Sequence, residues 1–233
     1  MLEIENLTTG YGLAQVIDNL SFSVDPNEGL ALLGRNGAGK STTLKTIAGL
    51  IKPWTGRIRL DGHSIDMMAT DQIAQLGIGY VPEERRIFAD LTVSENLITG
   101  KKAGPSGEMF WTENRVFELF PEIARRQHAS AGSLSGGERQ MLAIARALVG
   151  NPRFLLLDEP SEGLAPVIIQ KMGSVLSALR VENVGLLIAE QNYRLASTLV
   201  DKALILETGI NRHISSFDEL NAHPKVVKDY LGV

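Results

Sequence analysis

The chain of 233 residues contains no cysteine, which excludes disulfides and thiolate metal sites. It lacks any apolar run approaching the roughly 18–20 residues that a membrane-spanning helix needs. No basic block stands out, and 23 Lys and Arg are outnumbered by 27 Asp and Glu, for a formal net charge of −4. That balance argues against a nucleic-acid partner held through its phosphates. The first residues, Met1-Leu2-Glu3-Ile4-Glu5, lack the basic and apolar regions of a signal peptide and alternate like a strand. The hydrophobic share of 44 % and charged share of 21 % suit a globular protein with a good core, organised as one large domain or one domain with an inserted lobe. The expectation is a soluble, cytoplasmic protein. At a membrane it would act by docking to something embedded there.

Against these absences, one stretch is rich in chemistry: Gly34-Arg35-Asn36-Gly37-Ala38-Gly39-Lys40-Ser41. It follows the apolar run Leu30 to Leu33, which reads as a buried strand. Leu44, Ile47, Ala48 and Ile51 come after it at helical spacing. Strand, glycine loop and helix in that order form the context of a phosphate-binding P-loop. The glycines let backbone N–H groups wrap phosphate oxygens, and the helix dipole points the same way. Gly34 through Thr42 are therefore assigned to triphosphate binding. Lys40 would reach the β- and γ-phosphates and Ser41 would ligate Mg²⁺.

Leu2 to Leu7, Ser21 to Val24 and Arg57 to Leu60 are short strand-like runs, read as an antiparallel β lobe beside the P-loop strand. Tyr11, between two glycines, is either loop packing or a platform for a purine ring. Ile78 to Val81 is another strand running into Pro82-Glu83-Glu84-Arg85-Arg86, where the two arginines read as a solvated charge pair. Residues 84–150 have mostly helical patterning, interrupted at Gly100 to Gly107, and form a helical insert in the α/β core.

Within the insert, Ser135 and Glu138 of Leu134-Ser135-Gly136-Gly137-Glu138-Arg139-Gln140 make a capping box that opens a helix ending near Gly150-Asn151-Pro152. Its two early glycines are poor helix formers. They fit either an ordinary capped helix or a helix start bared for an anion. Phe154 to Leu157 then delivers Asp158 and Glu159 at the C-terminal end of a core strand, where α/β sheets bind ligands. Asp158 suits Mg²⁺ and Glu159 suits a general base. Val184 to Ala189 and Ala203 to Leu206 form a last strand pair, and Ser216 to Val233 reads as a closing helix.

With these residues in place, nearly the whole chain resembles the ATP-binding subunit of ABC transporters. Gly34 to Ser41 corresponds to its Walker A, Leu134 to Gln140 to its signature, and Phe154 to Glu159 to its Walker B. The resemblance implies a P-loop NTPase core with an antiparallel β lobe and an inserted helical signature subdomain, spanning residues 1–233 as a single domain. It implies ATP and Mg²⁺ as ligands, with ATP held between two such domains. Ser135, Gly136 and Gly137 of one domain would touch the γ-phosphate on the other, and Tyr11 would stack on adenine.

Four positions depart from the family pattern. Glu83 replaces the Q-loop glutamine, joining Ser41 and Asp158 as the metal set. Gln191 replaces the switch histidine and joins Glu159 and Lys40 as the catalytic set; none of His63, His128, His213 and His223 lies there. Ala165 replaces the D-loop aspartate, and Glu28-Gly29 stands where Gly-Glu is usual. The first three look like the LivF-type ATPase of branched-chain amino-acid importers, whose relatives serve urea and short amides. That implies a second, different ATP-binding subunit (a homodimer being the alternative), two permease subunits and an extracytoplasmic solute-binding protein. The site would lie at the cytoplasmic face of the membrane. The residues at 83–91, with Ile87, Phe88 and Leu91, offer a permease-docking patch or pack within the helical lobe. A soluble ATPase acting on ribosomes or DNA is disfavoured by the missing basic regions and long heptad insert.

Overall fold

In a computed structural model, which describes residues 1–231, β-branched and leucine-rich alternation sorts the strands into two sheets. The first is antiparallel, in the order β2-β1-β4-β5: β1 (Leu2–Tyr11), β2 (Ala14–Val24), β4 (Thr55–Leu60) and the two-residue β5 (His63–Ser64). It is the expected β lobe, with strands that extend beyond the apolar runs that announce them.

The second sheet has the order β10-β9-β3-β8-β7-β6. Here β3 (Gly29–Leu33), β6 (Ile78–Val81), β7 (Phe154–Asp158), β8 (Gly185–Glu190) and β9 (Lys202–Glu207) run parallel, and β10 (Ile210–Ser216) pairs antiparallel to β9. Every residue of β3, β7 and β8 is buried, as a parallel sheet covered on both faces requires.

Because side chains alternate along a strand, each central strand feeds two different cores. Leu30, Leu32, Phe154, Leu156, Leu187 and Leu204 join the core shared with β1, β2, β4, α1 (Lys40–Ile47) and α2 (Thr70–Gln75). Their neighbours Ala31, Leu33, Leu155, Leu157, Ile188 and Ile205 face the opposite core. There they meet α3 (Val93–Gly100), α4 (Glu113–Leu119), α5 (Pro121–Ala124), α6 (Gly136–Leu148), α7 (Pro166–Val181) and α8 (Tyr193–Leu199).

Three expectations change. Ile51 lies beyond α1, which closes at Ala48 after eight residues. The tail is two short helices, α9 (Phe217–Ala222) and α10 (Pro224–Leu231), because Pro224 cannot donate the hydrogen bond a continuous helix needs. The last part of the expected closing helix, at 232–233, lies outside the described residues. Finally, β10 extends the last strand pair to a hairpin that sequence patterning left unassigned.

Candidate active site

The fold brings the C-terminal ends of β3, β7 and β8 side by side, so that the loops after them share one edge. After β3 the chain turns through Gly37 (φ 82°) and Gly39 (φ 106°), left-handed conformations that exclude most side-chain-bearing residues. No atom would meet a Cβ on Gly37 within 4 Å, so the loop encloses open space. Lys40, the first residue of α1, is 4 % exposed. Its Nζ donates to the carbonyls of Gly34 (3.0 Å) and Arg35 (3.4 Å) and lies 3.2 Å from Glu159 Oε1.

One residue on, Ser41 Oγ donates to Asp158 Oδ1 at 2.8 Å, and Tyr80 Oη donates to Asp158 Oδ2 at 3.1 Å. Burial pushes the Asp158 carboxyl up, and these two hydrogen bonds pull against that shift. The Tyr80 hydroxyl is pushed up strongly, by burial first and then by the Asp158 charge. Tyr80 is the half-buried penultimate residue of the edge strand β6, and patterning gave it no role. Its signal is a phenol at the C-terminal end of a strand beside the acid-bearing one.

A cleft of about 270 Å³ opens in front of the loop, lined among others by Asn36, Gly37, Lys40, Ser41, Thr42, Glu83, Glu159 and Glu162. Three carboxylates therefore face one lysine. Glu83 is at the lip, where partial desolvation first, and a hydrogen bond with Glu162 second, hold its carboxyl above the usual range. Among the described residues no three His, Cys, Asp or Glu side chains form a metal cluster. The Ser41–Asp158 pair nonetheless fits Mg²⁺, which takes one or two protein oxygens and fills its shell with phosphate oxygens and water. When bound there, it would neutralise developing phosphate charge.

Glu159 adopts φ 45°, a strained backbone for a glutamate, held by its N–H to Ala189 O at 2.9 Å. Behind it, Glu190 is buried, and its Oε1 accepts the N–H of Ser161 at 3.1 Å. Burial pushes the Glu190 carboxyl up.

The other candidates are more dispersed. Tyr11 is 51 % exposed, with its hydroxyl 3.5 Å from Thr42 Oγ1, so its ring is free beside the loop. Gln191 is exposed and borders a neighbouring cavity with Gly34 and Arg35 rather than the P-loop cleft. Ser135 caps α6 as the capping box requires: its N–H reaches Glu138 Oε2 at 2.8 Å, and its Oγ accepts Glu138 N–H at 3.3 Å. Ser135 and Gly136 are exposed, and neither they nor Gly137 line the cleft. Ala165 sits at the N-cap of α7 without a side-chain cap.

Two readings from the sequence are corrected or divided here. Arg86 does pair with Glu84 in solvent, at 3.5 Å, but Arg85 does not. Arg85 Nε donates to the buried Gln140 Oε1 (3.0 Å) and Nη2 to Glu162 O (2.8 Å), because its left-handed backbone turns the side chain inward. The patch at 83–91 also splits. Ile87 is half-buried against the core to which α3 and α6 contribute, whereas Phe88 is 52 % exposed.

A sequence profile of the ABC transporter family matches residues 17–162. The high-affinity branched-chain amino acid transport ATP-binding protein BraG of Pseudomonas aeruginosa is 41 % identical over 232 residues, covering all of both chains. The lipopolysaccharide export system ATP-binding protein LptB of Haemophilus influenzae is 35 % identical, over all of this chain and 97 % of its own. Among solved structures, the dimeric post-hydrolysis state of the ATP-binding cassette MJ0796, bound to ADP and Pi, superposes with a TM-score of 0.78 at 25 % identity. That match covers 93 % of this chain and 98 % of the other.

Proposed function

The chain belongs to the ABC transporter family of ATP-binding proteins and is an ATPase of that family, and we propose that it energises a membrane importer of branched-chain amino acids. The observation that carries the solute class is the end-to-end match, at 41 % identity, to a protein named for that transport. Glu83, Ala165 and Gln191 support the same reading, since together they resemble the LivF-type pattern. Urea and short amides are the alternative solutes. The 35 % match to a lipopolysaccharide export protein keeps the solute a matter for experiment.

In this reading residues 1–233 act as one ATP-binding domain. Gly34 to Thr42 hold the triphosphate, Tyr11 stacks on adenine, and Ser41, Asp158 and Glu83 form the Mg²⁺ side of the cleft. Glu159 is the base that takes a proton from the attacking water. Gln191 can hydrogen-bond the γ-phosphate as donor or acceptor but cannot be a cation as histidine can. Ser135, Gly136 and Gly137 act on the nucleotide of a second ATP-binding subunit. The exposure of Ser135 and Gly136, and the absence of all three from the lining of this chain's own cleft, support that division of labour. The dimeric state of a related cassette supports it too.

No helix among the described residues is long and apolar enough to cross a membrane. Two permease subunits would supply the membrane path, with the chain peripheral at its cytoplasmic face and a solute-binding protein outside. A groove of about 310 Å³, bordered by Val81, Pro82, Arg85, Phe88, Thr99 and Arg146, supports a docking place for a permease segment.

Reconstitution of the chain with its companion ATPase and permeases in vesicles tests the reading. ATPase activity should rise on assembly, and leucine should enter at the expense of ATP when the binding protein is present. Equal activity of the isolated chain, with no leucine uptake, would overturn it.

A further inference from the structure

Arg85 connects three loops that the proposed reaction uses separately. Its Nε donates to Gln140 Oε1 at 3.0 Å, and Gln140 is buried one turn from the start of α6. Its Nη2 donates to the carbonyl of Glu162, in the turn after β7, at 2.8 Å. A Cβ placed on Gly136 would lie 3.4 Å from its Nη1. A single guanidinium is thus set against the segment after β6, the first turns of the signature helix and the turn that follows Asp158-Glu159.

The backbone is built to put it there. Arg85 has φ 64° and Arg86 φ 43°, two consecutive left-handed residues with side chains, a costly conformation that persists only where surrounding contacts fix it. Arg146, near the far end of α6, donates its Nη2 to Arg86 O at 2.8 Å. The 85–86 turn is therefore pinned to α6 at Gln140 and again at Arg146, so the turn and the helix move together.

What this turn joins is informative. Glu83 and Glu162 line the P-loop cleft, whereas Ser135, Gly136 and Gly137 do not. Arg85 lies two residues from the first, holds the carbonyl of the second, and is bonded to the helix whose N-terminus carries the other three.

We propose that Arg85 is a positioning residue that ties the signature tip to the state of the chain's own nucleotide cleft, and so makes the two ATP sites of the assembled pair cooperative. The inference rests on the shared-site arrangement given under Proposed function. A shift of the Glu83 segment or the Glu162 turn on nucleotide entry would be carried through the two donors to Gln140, and along α6 to the tip lent to the other site. The planar fork of arginine serves both acceptors at once; a lysine ammonium on a flexible stem does not hold that geometry.

The test is steady-state ATPase against ATP concentration in the assembled complex. Wild type should give a Hill coefficient above 1. Arg85→Ala should bring it to about 1 and lower kcat roughly tenfold, the loss of about 1.4 kcal/mol of transition-state stabilisation. ATP affinity of the isolated chain should stay as in wild type, and its unfolding should stay cooperative with Tm lowered by only a few degrees for the Gln140 oxygen left without its donor, which separates positioning from a folding defect. Arg85→Lys should restore only part of the cooperativity. Gln140→Leu should reproduce the Arg85→Ala phenotype, and Gln140→Glu, which keeps an acceptor, should not; this pair serves if Arg85→Ala fails to fold. Wild-type cooperativity and kcat in Arg85→Ala or Gln140→Leu would overturn the inference. Gly137→Asp separates the two layers. If it abolishes hydrolysis while Arg85→Ala changes nothing, only the coupling role is lost. If Gly137→Asp also changes nothing, the shared-site reading fails, and the inference with it.

Discussion

Lys40 Nζ lies 3.2 Å from Glu159 Oε1, so the loop that receives phosphate and the acid proposed to activate water are joined by an ion pair. The pair gives the buried lysine a counterion and leaves the carboxylate engaged. Triphosphate oxygens would compete for the ammonium and release Glu159 toward the water. Glu159→Gln keeps an oxygen near Lys40 and removes the base. ATP binding should therefore persist, while hydrolysis falls about 10²–10⁴-fold, the usual contribution of a positioned base. Phosphate release beside equilibrium nucleotide binding checks this. Near-normal hydrolysis would remove Glu159 from the role.

Tyr11 stands beside Thr42 with half of its surface free. If it is the adenine platform, Tyr11→Ala should weaken ATP binding by about 1–3 kcal/mol, the worth of stacking a base on an aromatic ring. Tyr11→Phe should stay near wild type, since the hydroxyl is only at the 3.5 Å limit from Thr42 Oγ1. Titration of the isolated chain with a fluorescent ATP analogue would read both. Equal affinity in the alanine variant would make the tyrosine a packing residue.

Much of this site can be read from local pattern because its determinants are local. Lys40 and Ser41 follow a glycine turn between an apolar run and a helix. Ser135 and Glu138 cap each other three residues apart, and Asp158 ends a strand with four apolar residues before it and Glu159 directly after. Arg85 is different. Its partners are 55 and 77 residues away, and only the packing of α6 against the turn after β7 brings them within reach. Two adjacent arginines after Glu83-Glu84 look alike in sequence, yet one is solvated and the other is a three-way junction. Tyr80 is similar: its hydrogen bond to Asp158 follows from β6 and β7 being neighbours, which no spacing along the chain reveals. The break between α9 and α10 has a local marker in Pro224, although patterning takes 216–233 as one closing helix.

Phe88 tests the outer surface. Asn96, fully buried, accepts the Phe88 N–H and donates to its carbonyl, both at 2.9 Å, so the backbone is fixed while the ring stays out beside Arg146. Phe88→Asp should spare the ATPase of the isolated chain. In the assembled importer it should cut coupled uptake about tenfold or more, because a docked permease segment would bury an unpaired carboxylate, at more than ~1.4 kcal/mol. Unchanged uptake would remove this groove from the docking surface.

Ala165 offers a gain of stability. It is the N-cap of α7, with φ −68° and ψ 148°, and Pro166 follows at the first helical position. An aspartate there would accept an N–H of the first turn, so Ala165→Asp should stabilise the chain by about 1 kcal/mol. For a chain of this size that is roughly 2–4 °C in Tm. Thermal unfolding without nucleotide reads it, and an unchanged or lowered Tm would refute the cap geometry.

Glu190 gives a pH-dependent prediction. Burial raises its carboxyl above the unfolded value, against the hydrogen bonds from Ser161 and the Gln191 backbone. The folded chain therefore keeps this proton longer than the unfolded chain as pH rises. The stability the group contributes is full below the unfolded carboxyl pKa, about 4.3, and is lost as pH climbs through the folded value. Glu190→Gln keeps an oxygen for the Ser161 N–H and removes the charge that must be buried. Its Tm should match wild type near pH 4 and exceed it at neutral pH, the gap opening through the window above the unfolded pKa. A gap that is constant from pH 4 to pH 8 would mean that Glu190 does not carry a raised pKa. A gap that narrows with pH would mean that the carboxylate, once charged, is stabilised by its contacts rather than strained by burial.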